Sequence, residues 1–338
     1  MEVTNGQGLL DLLRRPEFIS AVLDPLLTAG SAPAPTGWEV SVAQLMGTER
    51  VTLEYRLADG SRLFLKAYDD AEEAAQASRA LQGLWEAGFG GSARYRVAEP
   101  LAYLPIYQVL VMREAPGQSL ATLMDADEAA GLEGMRAAAR WLAALHRAPV
   151  RIGPSEDIGQ GVFRLARRLA KAAARHPETE GMLIEMIEAL ADRAAALVPG
   201  RHLVQTHGRY HPGHVFLSGD VVTVIDLDRS HPCDPAKDVA EFLHRLYMKE
   251  AKDAQPGPTV VRAAQAFLEE YRQHALYPLV GLEYYWSYSL LATLLHTLRK
   301  RHLDPDTWER RVTYYREAFQ TLPERLGQER AAGEQQAA

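Results

Sequence analysis

At Pro116-Gly117 the periodicity of this chain changes, and that change limits the fold more than any other feature. Before it, Trp38 to Tyr68 reads as three short strands, WEVSVAQL, RVTLEYRLA and SRLFLKAY, with Asp59-Gly60 as the tight turn between the last two. A helix is expected over 70–88, ending at Gly88, and strands over 95–104 and 106–113. After it, helical spacing dominates: 127–147, 159–176, 179–197, 236–252, 258–275, 281–301 and 306–322. A single hairpin, VFLSGDVVTVID, interrupts the helices, with Ser218-Gly219-Asp220 as its turn. A small antiparallel sheet followed by a mostly helical region makes an α+β protein. The expected divisions are a helical leader and linker over 1–37, a sheet lobe over 38–115, a helical lobe over 116–328 and a disordered tail over 329–338.

Composition excludes several classes. The single cysteine, Cys233, rules out an intramolecular disulfide framework and fits a reducing cytoplasm. The N-terminus places Glu2 and Asp11 before any basic residue and is broken by Pro16 and Pro25, so no export signal is expected. The longest apolar stretch, YYWSYSLLATLL, is well short of the roughly 20 residues a spanning helix needs, so no membrane partner is expected. A net charge of −7 argues against a nucleic-acid surface, which requires excess clustered Lys and Arg. Small molecules or proteins are the expected partners.

Four stretches carry a resemblance to a known family: LFLKAY, VLVMREAPGQSL, RWLAALHRAP and HGRYHPGHVFLSGDVVTVIDLDRSHPCDPAKDVAEFL. They resemble the aminoglycoside phosphotransferase and choline-kinase-like family, over about 60–320. The last stretch is the most specific, because loop, hairpin, ID-x-D and DPA-x-D occur in the family's order and spacing. The resemblance implies a protein-kinase-like two-lobed fold that binds ATP or GTP, with Mg2+ or Mn2+, between its lobes. It also implies transfer of a phosphoryl group to a small-molecule hydroxyl.

What each residue would contribute follows from that chemistry, which needs cations on the triphosphate, a neutralising metal and an aligned acceptor. The resemblance places Lys66 on the phosphates, Met112, Arg113, Glu114 and Ala115 at the adenine, and Asp226 on the metal. Asp226 leaves the end of an apolar strand, a suitable exit for a hard oxygen ligand. A glutamate usually pairs with the lysine; here Gln76 and Ala77 hold its place and Glu73 lies about one turn earlier. No GxGxxG run is present, and MGTER at 46–50 is the candidate phosphate loop. Asp234 and Asp238 read as structural, with Asp234 capping a helix start.

The chain departs from the family twice. Arg209 stands where the family has the aspartate that contacts the acceptor hydroxyl, and His214 where it has a metal-binding asparagine. Arginine cannot take a proton, so Arg209 is expected to clamp a phosphoryl group or an anionic acceptor, leaving the proton to His211, His207 or Asp228. Imidazole at 214 suits manganese, iron or zinc better than magnesium. Two readings stay open: a phosphotransferase with an atypical catalytic loop, or a nucleotide-binding pseudokinase with a regulatory or scaffold role and a protein partner. The acceptor is open too. Arg164, Arg167, Arg168, Lys171 and Arg175 form a basic stripe that suits an anion, whereas Tyr284, Tyr285, Trp286 and Tyr288 would suit an amine unless they are core.

Overall fold

A computed structural model of the chain describes residues 6–28, 38–46, 50–57, 60–197, 201–250, 257–299 and 304–337. In order these form α1 (Gly6–Leu13), α2 (Pro16–Phe18), α3 (Asp24–Thr28), β1 (Trp38–Met46), β2 (Arg50–Leu57), β3 (Arg62–Tyr68), α4 (Ala71–Leu84), β4 (Tyr95–Val97), β5 (Pro100–Leu104) and β6 (Val109–Arg113). There follow β7 (Gln118–Ser119), α5 (Leu120–Ala126), α6 (Glu128–Arg147), α7 (Ile158–Ala173), α8 (Glu180–Leu197), β8 (Val204–Thr206), β9 (Val215–Ser218), β10 (Val221–Val224), β11 (His231–Cys233), α9 (Ala236–Glu250), α10 (Pro258–His274), α11 (Leu282–Thr297) and α12 (Pro305–Ala337). They divide into two compact units. Unit 1 takes in Met1–Gly117 and Phe216–Arg229; unit 2 takes in Gln118–Val215 and Ser230–Ala338. The sequence cut at 115/116 falls beside the first break, but nothing in the sequence pattern assigns Phe216–Arg229 to unit 1.

Unit 1 is built on an antiparallel sheet in the order β1-β2-β3-β6-β5. Alternation buries Val51, Leu53, Tyr55 and Leu57 of β2 and Leu63, Leu65 and Ala67 of β3 on one face. Lys66 therefore stands on the opposite face, paired across to Thr52 and Leu110. The leader belongs to this core: Leu13, Phe18, Ile19 and Leu23 pack in one cluster with Leu53, Leu65 and Val111. Tyr55 Oη also donates to Leu13 O at 2.6 Å. α4 begins at Asp70, whose Oδ1 accepts from Glu73 N at 2.8 Å, and is followed by a wide turn in which Gly88 adopts φ 102°. The linker at 30–37, residues 47–49 of the MGTER loop and Asp59 lie outside the described residues. Gly60, on the same turn as Asp59, has φ 83° and donates to Leu57 O at 2.9 Å.

The hairpin joins unit 1 through its second strand. β10 runs parallel to β4, pairing Val222 with Tyr95 and Val224 with Val97, and Ala98 N donates to Val224 O at 3.1 Å. Gly219 turns the hairpin with φ 56°. Gly117, at φ 94°, runs so close to the hairpin that a Cβ there would lie 2.0 Å from Leu217 O, so only glycine fits.

In unit 2, α6 packs on α10, α7 on α8, and α11 on α8, α9 and α12. β8 and β11 pair antiparallel, aligning Thr206 with His231 and Val204 with Cys233. Two sequence readings need correction here. α5, capped by Ser119 Oγ accepting from Thr122 N at 3.2 Å, is a helix to which the sequence assigned no element, because seven residues are too few to show periodicity. Arg168 leaves the basic stripe and donates to Ala292 O at 3.1 Å, so only Arg164, Arg167, Lys171 and Arg175 are exposed. α12 continues to Ala337, through the tail expected to be disordered; Ala, Glu, Gln and Arg favour helix without needing burial. Tyr284, Tyr285 and Trp286 are buried core. Among the described residues, no helix is long and apolar enough to cross a membrane.

Candidate active site

The strand pattern that puts Lys66 opposite the leader core leaves its ammonium beside the exit of β10. Lys66 Nζ forms ion pairs with Asp226 Oδ1 and Asp228 Oδ2, with the three side chains only 15%, 19% and 10% exposed. Asp226 takes the left-handed conformation, φ 66°, which few residues other than glycine tolerate and which aspartate tolerates better than most. The structure thus brings together three sequence-predicted residues from positions 160 apart. Two carboxylates and one ammonium leave the cluster one negative charge in excess, and the donors are hard oxygens. That composition fits a small divalent cation with its own waters.

A fourth member was missed. Tyr68 is 2% exposed, donates to Asp228 Oδ1 at 2.9 Å, and places its ring centroid 5.8 Å from Lys66 Nζ. The signal was present, since residues i and i+2 of a strand share a face. With Tyr68 on one oxygen and Lys66 beside the other, Asp228 is a holding group rather than a ready proton acceptor. Glu73 lies on the exposed first turn of α4, its backbone N–H capped by Asp70.

At the expected adenine stretch, Met112 and Arg113 belong to β6 and are committed to the sheet. Arg113 N donates to Glu99 O at 3.0 Å and its Nε to Glu99 Oε2 at 2.9 Å. Glu114 N donates to Arg62 O at 3.2 Å, and its carboxylate pairs with Arg62. Ala115 is buried.

The 207–214 loop of unit 2 is shaped by one buried acid. Asp238, fully buried on α9, accepts from His207 N at 2.6 Å and Gly208 N at 2.7 Å, and pairs with His146 Nε2 at 3.1 Å. Burial alone would raise its pKa, but the hydrogen bond and charge of His146 outweigh that, and the pKa is lowered. His146 is oriented in turn by Tyr271 Oη, 2.7 Å from its Nδ1. Tyr210 is fully buried, donates to Ala138 O at 2.9 Å and stacks on Trp141 and Phe242. These contacts fix the backbone that presents Arg209.

The histidines of the loop have distinct roles. His211 Nδ1 accepts from Gly213 N at 3.1 Å, so the neutral ring carries its proton on Nε2 and is a donor. Burial, helped by Arg245, His207 and Arg209, pushes its pKa down to about 4. A ring so lowered is a weak base, and its Nδ1 lone pair is already engaged by Gly213 N. His214 Nδ1 is 3.2 Å from Arg209 O; donating there leaves the lone pair on Nε2, the tautomer of a metal-ligating histidine. Asp234 caps α9 as expected, accepting from Ala236 N at 2.9 Å.

Among the described residues, the cluster with metal-ligand atoms all within 4.8 Å is a different one: Glu156, His231 and Cys233. Lys237 already supplies its cation, with Nζ 2.9 Å from Glu156 Oε2 and 3.0 Å from His231 Nε2. The buried Cys233 thiol, pushed up to about 12 by burial, holds its proton. The cluster is a satisfied network, and sequence alone offered no reason to group its members.

The family model described as "Phosphotransferase enzyme family" matches residues 47–277. In fold the chain is similar to a choline kinase from Cryptosporidium parvum Iowa II, with TM-score 0.60 and 14% identity over 85% of this chain and 90% of that one. It is similar to choline kinase LicA from Streptococcus pneumoniae, with TM-score 0.59 and 12% identity over 90% and 99% of the two chains. Amicoumacin kinase hAmiN, solved with AMP-PNP, Ca2+ and Ami, gives TM-score 0.57 and 15% identity over 82% and 87%. At such identities the likeness establishes the protein-kinase-like fold alone. No curated protein matches in sequence.

Proposed function

Because the chain belongs to the phosphotransferase enzyme family, we propose that it transfers the terminal phosphoryl group of ATP or GTP to a hydroxyl of a small molecule. The observation that carries this reading is the Lys66–Asp226–Asp228–Tyr68 cluster, a partly buried ammonium held between two carboxylates. Lys66 grips phosphate oxygens; Asp226, with Asp228 beside it, holds Mg2+ or Mn2+. When bound, the metal neutralises charge on the phosphates. Tyr68 and Asp228 keep the ammonium in place before nucleotide arrives. Since the amides of Arg113 and Glu114 are committed to the sheet, the base is read by the Glu114 carbonyl and the Ala115 amide.

The proton of the acceptor hydroxyl is the unusual element. Arg209 cannot take it, His211 is already a donor, and Asp228 is held by two partners. We infer that the reaction relies on positioning and charge, with the proton leaving late to solvent or to the phosphoryl oxygens. The loss of a general base costs typically 10²- to 10⁴-fold, so turnover is slow but present. That a neighbour of similar fold was solved with AMP-PNP and Ca2+ supports nucleotide and divalent-metal use. The non-catalytic alternative has no observation of its own in its favour.

Thermal-shift titration with ATP and GTP, with and without Mg2+ or Mn2+, followed by detection of the nucleoside diphosphate, tests this. Nucleotide stabilisation that needs a divalent cation, with turnover abolished by Asp226→Ala, is expected. Stabilisation without turnover over long incubation would leave a binding protein, and no stabilisation would remove the reading altogether.

A further inference from the structure

Arg209 is half-buried on a loop whose backbone is locked on all sides, yet its guanidinium makes no hydrogen bond or ion pair among the described residues. Comparable arginines of unit 2 are neutralised internally. Arg140 meets Glu133 and Glu270 at 2.7 and 3.0 Å, Arg193 meets Glu283 at 2.7 Å, and Arg245 meets Glu241 at 2.8 Å. The acids around the loop are committed elsewhere. Both oxygens of Asp238 are taken by the amides of His207 and Gly208, and Glu241 is held by Arg245 and by Ser289 Oγ at 3.3 Å. His211 Nδ1 accepts from Gly213 N at 3.1 Å, so its ring offers Nε2–H. The loop 207–214 thus carries a fork of guanidinium donors and an imidazole donor, and contains no carboxylate of its own.

We propose that the phosphoryl acceptor of this protein carries a carboxylate or phosphate group, and that Arg209, with the Nε2–H of His211 on the same loop, binds that anion. The proposal rests on the phosphotransferase reading for the word acceptor, but the anion site itself does not require turnover. A planar guanidinium matches two oxygens of either anion, and an amine-bearing acceptor meets like charge at the same place. The identity of residue 209 therefore selects the class of acceptor: a carboxylate there attracts ammonium compounds, and an arginine repels them.

Isothermal titration of the full chain with inorganic phosphate, D-glycerate and glycerol 3-phosphate tests the site, with glycerol and choline as uncharged and cationic counterparts. At least one anion binds and neither counterpart does. Arg209→Gln weakens the anion about ten- to a hundred-fold, the worth of a charge-assisted hydrogen-bonded contact. Arg209→Lys falls between the two, because it keeps charge and loses the fork. Lys66→Met leaves the Arg209-dependent part of the anion affinity intact, which separates this site from the nucleotide phosphates, and ATP affinity is the same in Arg209→Gln as in the parent. The guanidinium has no hydrogen-bond or ion-pair partner among the described residues, so the Arg209 variants fold, as an unchanged Tm verifies. Glycerate against glycerol 3-phosphate decides between carboxylate and phosphate. The proposal is overturned if no anion binds below about 10 mM, if choline binds better than the anions, if Arg209→Gln leaves anion affinity unchanged, or if that variant loses ATP instead. Absence of ATP binding in the parent protein, with anion binding intact, would sink the phosphotransferase reading and leave the anion site standing.

Discussion

Replacing Asp238 by asparagine removes one charge and almost no volume, yet it strikes the loop at its anchor. The carboxylate accepts from two consecutive backbone amides at 2.6 and 2.7 Å and pairs with His146 at 3.1 Å. Oδ2 serves His207 N and His146, and Oδ1 serves Gly208 N. An asparagine that keeps its oxygen at the Oδ2 position therefore points its amide donors at the Gly208 N–H. One charge-assisted bond, worth about 1.5–3 kcal/mol, is lost, and two donors are left facing each other in a fully buried place. The expected loss is about 3 kcal/mol for unit 2. Urea unfolding followed by the fluorescence of Trp141, whose ring lies 6.4 Å from that of His207, reads it directly. The pH dependence has a definite sign. Because the folded-state pKa is lowered, the stabilisation is present above the unfolded value and disappears as pH falls through the folded one, so parent and variant converge in acid. A variant less than about 1 kcal/mol weaker at pH 7, or a gap that widens on acidification, would refute the anchoring role.

Three further outcomes are expected. Lys66→Met removes the cation between Asp226 and Asp228 and lowers stability by about 2 kcal/mol, less than a fully buried pair would lose; Mn2+ raises its Tm more than the parent's, as differential scanning fluorimetry would show. Gly117→Ala places a methyl 2.0 Å from Leu217 O at φ 94°, costing about 3 kcal/mol or more, so the variant accumulates as insoluble protein or melts far below the parent. Cys233, held as a buried thiol with its pKa near 12, reacts with a thiol reagent at pH 8 only after denaturant is added; rapid labelling of the folded protein would contradict its burial.

How much of the site was legible depended on the reach of each interaction. Lys66 and Asp226 stood out because a strand and its exit residue are written in adjacent positions, and both arrive in one cluster. Tyr68 was readable by the same alternation but carried no chemical signal until Asp228 was seen beside it. The tautomer of His211 depends on one backbone amide two residues on, and its low pKa on burial and on Arg245, more than thirty positions away. Neither is recoverable from a list of titratable residues.

Near neighbours along the chain were enough to set the local elements: the β2–β3 turn at Gly60, the close of the helical turns at Gly88, the hairpin at Gly219 and the Asp234 cap each need only residues within a few positions. Tertiary structure alone decided that the leader completes the sheet core and that the hairpin leaves the helical unit to pair with β4. It also decided that Asp238 commits both oxygens to the loop and that Arg209 has no hydrogen-bond or ion-pair partner for its guanidinium among the described residues. These depend on which distant groups satisfy one another once water is excluded, and a polar group shows its need for a partner only after the fold has buried it.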